Sequence, residues 1–152
     1  MEHFNTASAD ETELTLLSCL HSHRWAERVA AHRPYPDLAA LLAAADEAAY
    51  DLTPGDLTEA LASETLPSLP PDTYGAAHTA LSAAHAAYES RFGHLFVICL
   101  DDVPPEEALD HALEAIRSRL TNDPEEERLV AAEQLRRLAR GRLVAHLRGA
   151  GL

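Results

Sequence analysis

Apolar residues recur every three or four positions along most of this chain, and prolines interrupt the pattern at intervals. Near the C-terminus the apolar spacing is four residues, at Leu135, Ala139, Leu143 and Leu147. This spacing places the four side chains on one face of a helix. Hydrophobic residues make up 47% of the chain but aromatic residues only 5%, so Leu, Ala and Val must form most of the core. Because Ala and Leu favour helix, the sequence predicts an all-α fold.

Prolines and capping residues divide the chain into about seven predicted helices. A residue before proline is biased out of the α region, and a capping side chain followed by proline marks a helix start. The predicted helices span about 9–20, 22–31, 37–50, 53–63, 74–92, 104–120 and 122–147. Leu14, Leu17 and Leu20 are expected to face inward from the first of them. The sixth carries one apolar stripe, formed by Leu109, Leu113, Ile116 and Leu120.

Two distinctive segments lie between these predicted helices. Leu66–Asp72 contains three prolines and is expected to be a stiff loop. The apolar run Phe96–Leu100 is compatible with an extended or a helical conformation. Since neither a repeat nor a low-complexity linker is visible, residues 1–152 are expected to form a single-domain helical bundle.

Charge and composition exclude several classes of function. The formal net charge is −13, so a nucleic-acid partner is not expected. All 12 basic residues are Arg, which excludes a Schiff-base lysine and a Walker-type phosphate loop. With no apolar run of membrane-spanning length and no signal-peptide pattern, we expect a cytoplasmic protein without membrane attachment. Cys19 and Cys99 are expected to be reduced thiols.

The most specific sequence pattern lies in the second half of the chain. It is Tyr-Glu-x-x-Phe-Gly-x-x-Phe at residues 88–96 with an apolar run after it, and then Arg-Leu-x-Asn-Asp from Arg119, with acidic residues following. Trp25, Arg33-Pro34-Tyr35 and the segment Asp56–Ala62 precede it in a consistent order. Together these motifs resemble the signature of the family of 2-oxo-4-hydroxy-4-carboxy-5-ureidoimidazoline (OHCU) decarboxylases.

The resemblance implies an all-helical homodimeric enzyme that needs no metal and no organic cofactor. Such an enzyme removes a carboxylate from OHCU and protonates the resulting carbanion on one face to give (S)-allantoin. By resemblance, Arg119 would bind the anionic substrate, and the remaining substrate-binding positions would be Phe92, Gly93, Phe96, Val97 and Ile98. The alternative for Arg119 is a surface arginine paired with a nearby carboxylate.

The chain departs from the family pattern where the catalytic histidine is expected. Aligned from Asp56, the family's His-Pro motif falls on Glu64 and Thr65. A shifted alignment makes Glu64 the glutamate of the family's Ser-x-x-Glu-Gln motif, and the histidine is then missing. The family asparagine that precedes Tyr-Glu is replaced by His85. Another side chain must therefore transfer the proton in place of the family histidine.

Three residues are candidates for proton transfer: Glu64, His85 and His78. The two histidines share a helical face with Leu81 and Tyr88, because the spacings are three and four residues. The alternatives are hydrogen-bonded boundary histidines and, for Glu64, a solvated carboxylate. A zinc site is not expected, since the histidines are two turns apart and no third ligand is evident.

The C-terminal helix also carries several charged residues. Glu125, Glu126 and Glu127 are expected to stabilise its N-terminus through the helix dipole. Its arginines are expected to form a solvated or dimer-facing surface; they are Arg128, Arg136, Arg137, Arg140 and Arg142.

Three hypotheses for function remain. The first is a diverged enzyme of this family that acts on a small anionic carboxylated heterocycle or ureido compound. The second is an authentic OHCU decarboxylase that has rearranged its catalytic groups. The third is a non-catalytic binding or regulatory protein on the same scaffold.

Overall fold

The structure is a computed structural model that describes residues 1–67, 69 and 75–149. Within these ranges all regular structure is helical, which confirms the all-α prediction. The helices are α1 (Glu2–Thr6), α2 (Ala9–Cys19), α3 (His23–Ala31), α4 (Leu38–Tyr50), α5 (Pro54–Ala62), α6 (Ala76–Phe92), a 3₁₀ turn (Pro105–Glu107), α7 (Ala108–Arg119) and α8 (Pro124–Gly149).

Side-chain caps begin most of these helices. Ser8, Ser22 and Asp37 each accept a hydrogen bond from the backbone N–H three residues on, at the starts of α2, α3 and α4. Thr53 and Asp56 form a reciprocal capping box at the start of α5. The sequence predicted that a helix begins at this point. Asp123 accepts from the Glu126 N–H and so caps α8.

Several helix boundaries differ from the predicted ones. Helix α1 was not predicted, although its Phe4 is buried. The predicted start of α6 at Tyr74, and residues 68 and 70–72 of the predicted proline-rich loop, lie outside the described residues. Gly93 ends α6 with a φ of 79°, a conformation that glycine adopts without steric cost. The run Phe96–Leu100 is not helical.

The buried faces of α2 and α7 are rotated from the predicted ones. Leu14 of α2 was expected to face inward but is 70% exposed, and Leu16 is fully buried instead. In α7 Ile116 of the predicted stripe is buried, together with Ala108, Ala112 and Arg119, while the leucines of that stripe are only partly buried. In α7 the prediction placed the large apolar side chains at the centre of the helix contact. A small alanine can occupy that position when two helices pack closely.

The chain divides into two compact units, residues 1–63 with α8 from Leu135 onward, and residues 64–134. In the first unit, the Trp25 indole N–H donates to the carbonyl of Ala45 at 3.0 Å. The Arg33 guanidinium donates to the carbonyls of Phe4 and Ala7, at 2.9 and 2.8 Å, and so ties α1 to the end of α3. The expectation of a single domain stays a prediction.

Three of the five arginines of α8 that were expected on a solvated or dimer-facing surface bind groups of their own unit, while Arg128 is exposed. Arg136 and Arg140 both donate to the Asp46 carboxylate of α4, at 2.9 and 2.7 Å. Arg142 donates to the carbonyl of Cys19 at 3.1 Å. These bonds join helices that are far apart in sequence, which a local pattern cannot reveal.

The second unit has a compact apolar core of its own. Six buried residues of α6, α7 and the run after α6 form it: Leu81, Tyr88, Phe96, Ile98, Ala112 and Ile116. Partly buried leucines and Phe92 pack around this cluster. None of the helices in the described ranges is long and apolar enough to cross a membrane.

The capping box of α5 allows a simple test of this local structure. We expect Thr53→Ala to reduce the free energy of unfolding by about 1 kcal/mol, because the Asp56 backbone N–H loses the hydroxyl to which it donates. The matched control is Thr58→Ala, an exposed threonine of the same helix. Urea denaturation should show the loss for Thr53→Ala and a change within about 0.5 kcal/mol for the control. Equal effects would contradict the role of the cap.

Candidate active site

The second unit contains a buried carboxylate, Glu127, which is 0% exposed. It accepts from Arg119 Nε at 2.9 Å and from Arg119 Nη2 at 2.6 Å. The Tyr88 hydroxyl also donates to it, as does the Asn122 side-chain amide at 3.2 Å. Burying a charge is costly unless it is paired and hydrogen-bonded, and these donors fulfil that condition.

The same network controls the ionisation of Tyr88. The pKa of the Tyr88 phenol is raised well above its ordinary range. Burial is the largest cause, and the hydrogen bond to Glu127 and the negative charge of that carboxylate add to it. The hydroxyl therefore stays protonated at neutral pH and serves as a donor to Glu127.

Arg119 also contacts the segment that follows α6. Its Nη1 donates to the carbonyl of Val97 at 2.7 Å, and its guanidinium carbon lies 4.3 Å from the centre of the Phe96 ring. The second contact has the geometry of a cation–π interaction. Since residues 94–100 form no helix, these contacts help to hold the segment in place.

A cavity of about 130 Å³ lies beside this network. Its described lining is mostly apolar and also contains two histidines and a serine; the lining residues are Leu66, Pro67, Leu69, His78, Leu81, Ser82, His85, Phe96, Ile98 and Ala112. Pockets for drug-sized ligands are usually larger than about 300 Å³, so this cavity suits a small metabolite.

His85 has the most unusual environment in the cavity wall. Its Nδ1 atom is buried and has no hydrogen-bond partner in the part of the chain that the structure describes. Burial lowers the pKa of the imidazole, although the charge of Glu89 acts in the opposite direction. The ring packs edge-to-face on Phe96, with 5.7 Å between centroids and 86° between planes. His85 is therefore a neutral imidazole at the cavity wall, with one ring nitrogen that makes no hydrogen bond within the described residues.

The cavity brings together four of the nine residues that the sequence suggested for a site: His78, His85, Phe96 and Ile98. Glu64 is half-buried in the segment after α5 and is not part of the described lining.

The other four predicted residues lie near the cavity without being part of its described lining. Phe92 packs on Tyr88 with 4.7 Å between centroids, and Gly93 ends α6. Val97 accepts from Arg119, which is buried and bonded to Glu127. The substrate-binding roles of these residues stay predictions.

Sequence reasoning missed Glu127, which was expected at a solvated helix start. Two signals point to it. Counting back in steps of four from Leu135 gives Ala131 and then Glu127, so Glu127 lies on the buried stripe of α8. The family pattern of an arginine, an asparagine and a later glutamate also extends to this position when three residues separate Asp123 from the glutamate.

Among the described residues, no group of three or more His, Cys, Asp and Glu side chains could hold a metal ion. Cys19 and Cys99 are both buried, and neither forms a disulfide bond.

The environment of His85 predicts a pH-dependent contribution to stability. Because the folded state lowers its pKa below the unfolded value, neutral His85 is favoured at high pH and stability is lost as pH falls. We expect the difference in free energy of unfolding between the wild type and His85→Asn to decrease from about pH 7.5 to about pH 5. Denaturation at several pH values measures it. Ser82→Ala, a change at a non-titrating residue of the same cavity, should give a constant difference; a constant difference for His85→Asn would contradict the assignment.

Comparison with known proteins places this geometry in a family. The model of the OHCU decarboxylase family matches residues 5–69 and 69–144. A crystal structure of (S)-allantoin synthase superposes with a TM-score of 0.71 and 21% identity over 95% of this chain and 52% of that one. The chain thus spans about half of the length of that protein.

This chain covers almost the whole length of a second solved structure. The crystal structure of an OHCU decarboxylase in the presence of (S)-allantoin gives a TM-score of 0.70 and 19% identity over 85% of this chain and 94% of that one. At these identities the structures support a shared fold. No curated protein matches the chain. The family match covers most of the sequence, and the chain belongs to the OHCU decarboxylase family.

Proposed function

We propose that this protein is a diverged decarboxylase of the family, which acts without a cofactor on a small anionic carboxylated heterocycle or ureido compound. The observation that carries the proposal is the buried Nδ1 of His85 in the wall of a small cavity, which has no hydrogen-bond partner among the described residues. A family member that lacks the usual histidine needs another proton-transfer group, and His85 has the chemistry for that role.

The reaction requires one bond to break and one to form. The bond between the ring carbon and the carboxylate breaks, carbon dioxide leaves, and the electron pair stays on the ring carbon. The ring itself delocalises this pair, so the chain supplies position and a proton. A neutral imidazole can take a proton from the substrate or from water and return it to the carbon from one face.

The cavity has features that suit such a substrate. The lining is mostly apolar, and His78 and Ser82 add polar groups to it. The apolar remainder limits water around the carbanion, which protects it from protonation on the wrong face. His78 and Glu64 are the other proposed acid–base groups, and binding of the substrate anion by Arg119 remains a prediction from the resemblance. A homodimer and a cytoplasmic location are further expectations of the same kind.

The most direct assay is stereoselective formation of (S)-allantoin, followed by circular dichroism while OHCU is generated in place from urate. If His85 transfers the proton, His85→Asn should lower kcat by about 10²–10⁴-fold, the usual contribution of general acid–base catalysis. His111→Asn makes the same change at an exposed residue outside the cavity and should leave kcat unchanged. Equal effects of the two substitutions would contradict the role of His85.

The wild-type result separates the three functional hypotheses. A rate above the spontaneous one supports authentic OHCU decarboxylation. Without acceleration of OHCU decay, turnover of another small carboxylated heterocycle supports the diverged enzyme. A chain that neither turns over nor binds any such compound would contradict the proposal and favour a non-catalytic protein.

A further inference from the structure

We propose that Glu127 and Arg119 form a positioning pair, which holds Phe96 against His85 and thereby orients the imidazole in the cavity. This inference rests on the proposed function, in which His85 transfers the proton. Its structural content, the orientation of two rings, can be measured without any activity.

The first step of the argument is the rigidity of the Arg119 side chain. Its guanidinium donates from both Nε and Nη2 to Glu127, and such paired bonds fix a planar group in direction as well as in distance. The Tyr88 hydroxyl and the Asn122 amide bind the same carboxylate, so Glu127 is itself held from α6 and from the start of α8. Arg119 is 7% exposed, which leaves its side chain little room to change rotamer.

The second step is the pair of contacts that Arg119 makes with the segment after α6. Nη1 donates to the backbone carbonyl of Val97, and the guanidinium carbon lies over the ring of the preceding residue, Phe96. The segment forms no helix, and its Cys99 N–H donates to the Gln134 side chain at 2.8 Å. Arg119 therefore controls both the backbone and the side chain at this part of the cavity wall.

The third step is the contact between Phe96 and His85. The rings meet edge-to-face, a favourable aromatic arrangement that specifies a relative orientation. Since Nδ1 of His85 has no hydrogen bond within the described residues, packing against neighbours such as Phe96 sets its direction. A displaced Phe96 ring would let the imidazole turn and would change the cavity.

This role differs from that of a substrate clamp in a way that can be measured. A clamp acts on the bound anion and leaves the ligand-free protein unchanged when it is replaced. A positioning residue changes the geometry of His85 before any ligand binds. The two roles therefore give different results in the ligand-free protein.

The test is nuclear magnetic resonance of the ligand-free full chain, with nuclear Overhauser effects (NOEs) measured between the His85 and Phe96 ring protons. We expect Glu127→Gln and Arg119→Lys to remove or strongly weaken these NOEs, because the neutral amide and the unforked ammonium cannot hold the planar arrangement. The matched control is Asp46→Asn, which breaks the bonds of Asp46 to Arg136 and Arg140 in the other unit. It should leave the NOEs unchanged.

Each outcome decides the question. Unchanged NOEs in a folded Arg119→Lys variant would overturn the positioning role and favour a clamp, for which KM rises instead. If Glu127→Gln fails to fold, Arg119→Lys decides, because it retains the positive charge beside Glu127. Loss of folding in both, with Asp46→Asn folded, would assign the pair a purely structural role and would also overturn the proposal. Lost NOEs in variants of a wild type that shows no activity would support the positioning pair while the proposed function fails.

Discussion

The buried carboxylate of Glu127 is the constraint on which the second unit depends. An unpaired charge at that position would be strongly unfavourable, and removing one partner of a buried ion pair costs about 3–5 kcal/mol. The chain meets this requirement with donors from three places: Tyr88 on α6, Arg119 at the end of α7 and Asn122 before α8. One carboxylate therefore joins three helices and fixes where each of them can lie within the unit.

The candidate site follows from this arrangement. With α6 and α7 held together, the segment after α6 packs between them and places Phe96 and Ile98 in the cavity wall. His85 lies one helical turn before Tyr88 and so faces the same region. Burial keeps its imidazole neutral, and its Nδ1 lacks a partner among the described residues. The cost of that unpaired nitrogen is the kind of local penalty that proteins accept at functional sites.

Local signals in the sequence predicted most of the fold, while long-range contacts decided the rest. The cap at Thr53 and the glycine at Gly93 act within one turn of helix, so their effects could be read directly. The burial of Leu16 instead of Leu14 could not be predicted, because two rotations of α2 about its axis present similar apolar faces to the core. For the site, helical spacing and the family motif indicated His85 and Phe96. Glu127 continues the buried stripe of α8, but the apolar spacing marks that stripe only from Leu135 onward. The cavity could not be predicted, because residues distant in sequence form its wall.

The central claim is that a ligand of this site binds to His85 while Arg119 stays bonded to Glu127. A crystal structure of the protein soaked with (S)-allantoin tests it most directly. The account predicts the ligand in the cavity of the second unit, within hydrogen-bonding distance of the His85 imidazole, with the bonds between Arg119 and Glu127 intact. A ligand held by an Arg119 guanidinium that has left Glu127, with no contact to His85, would contradict it.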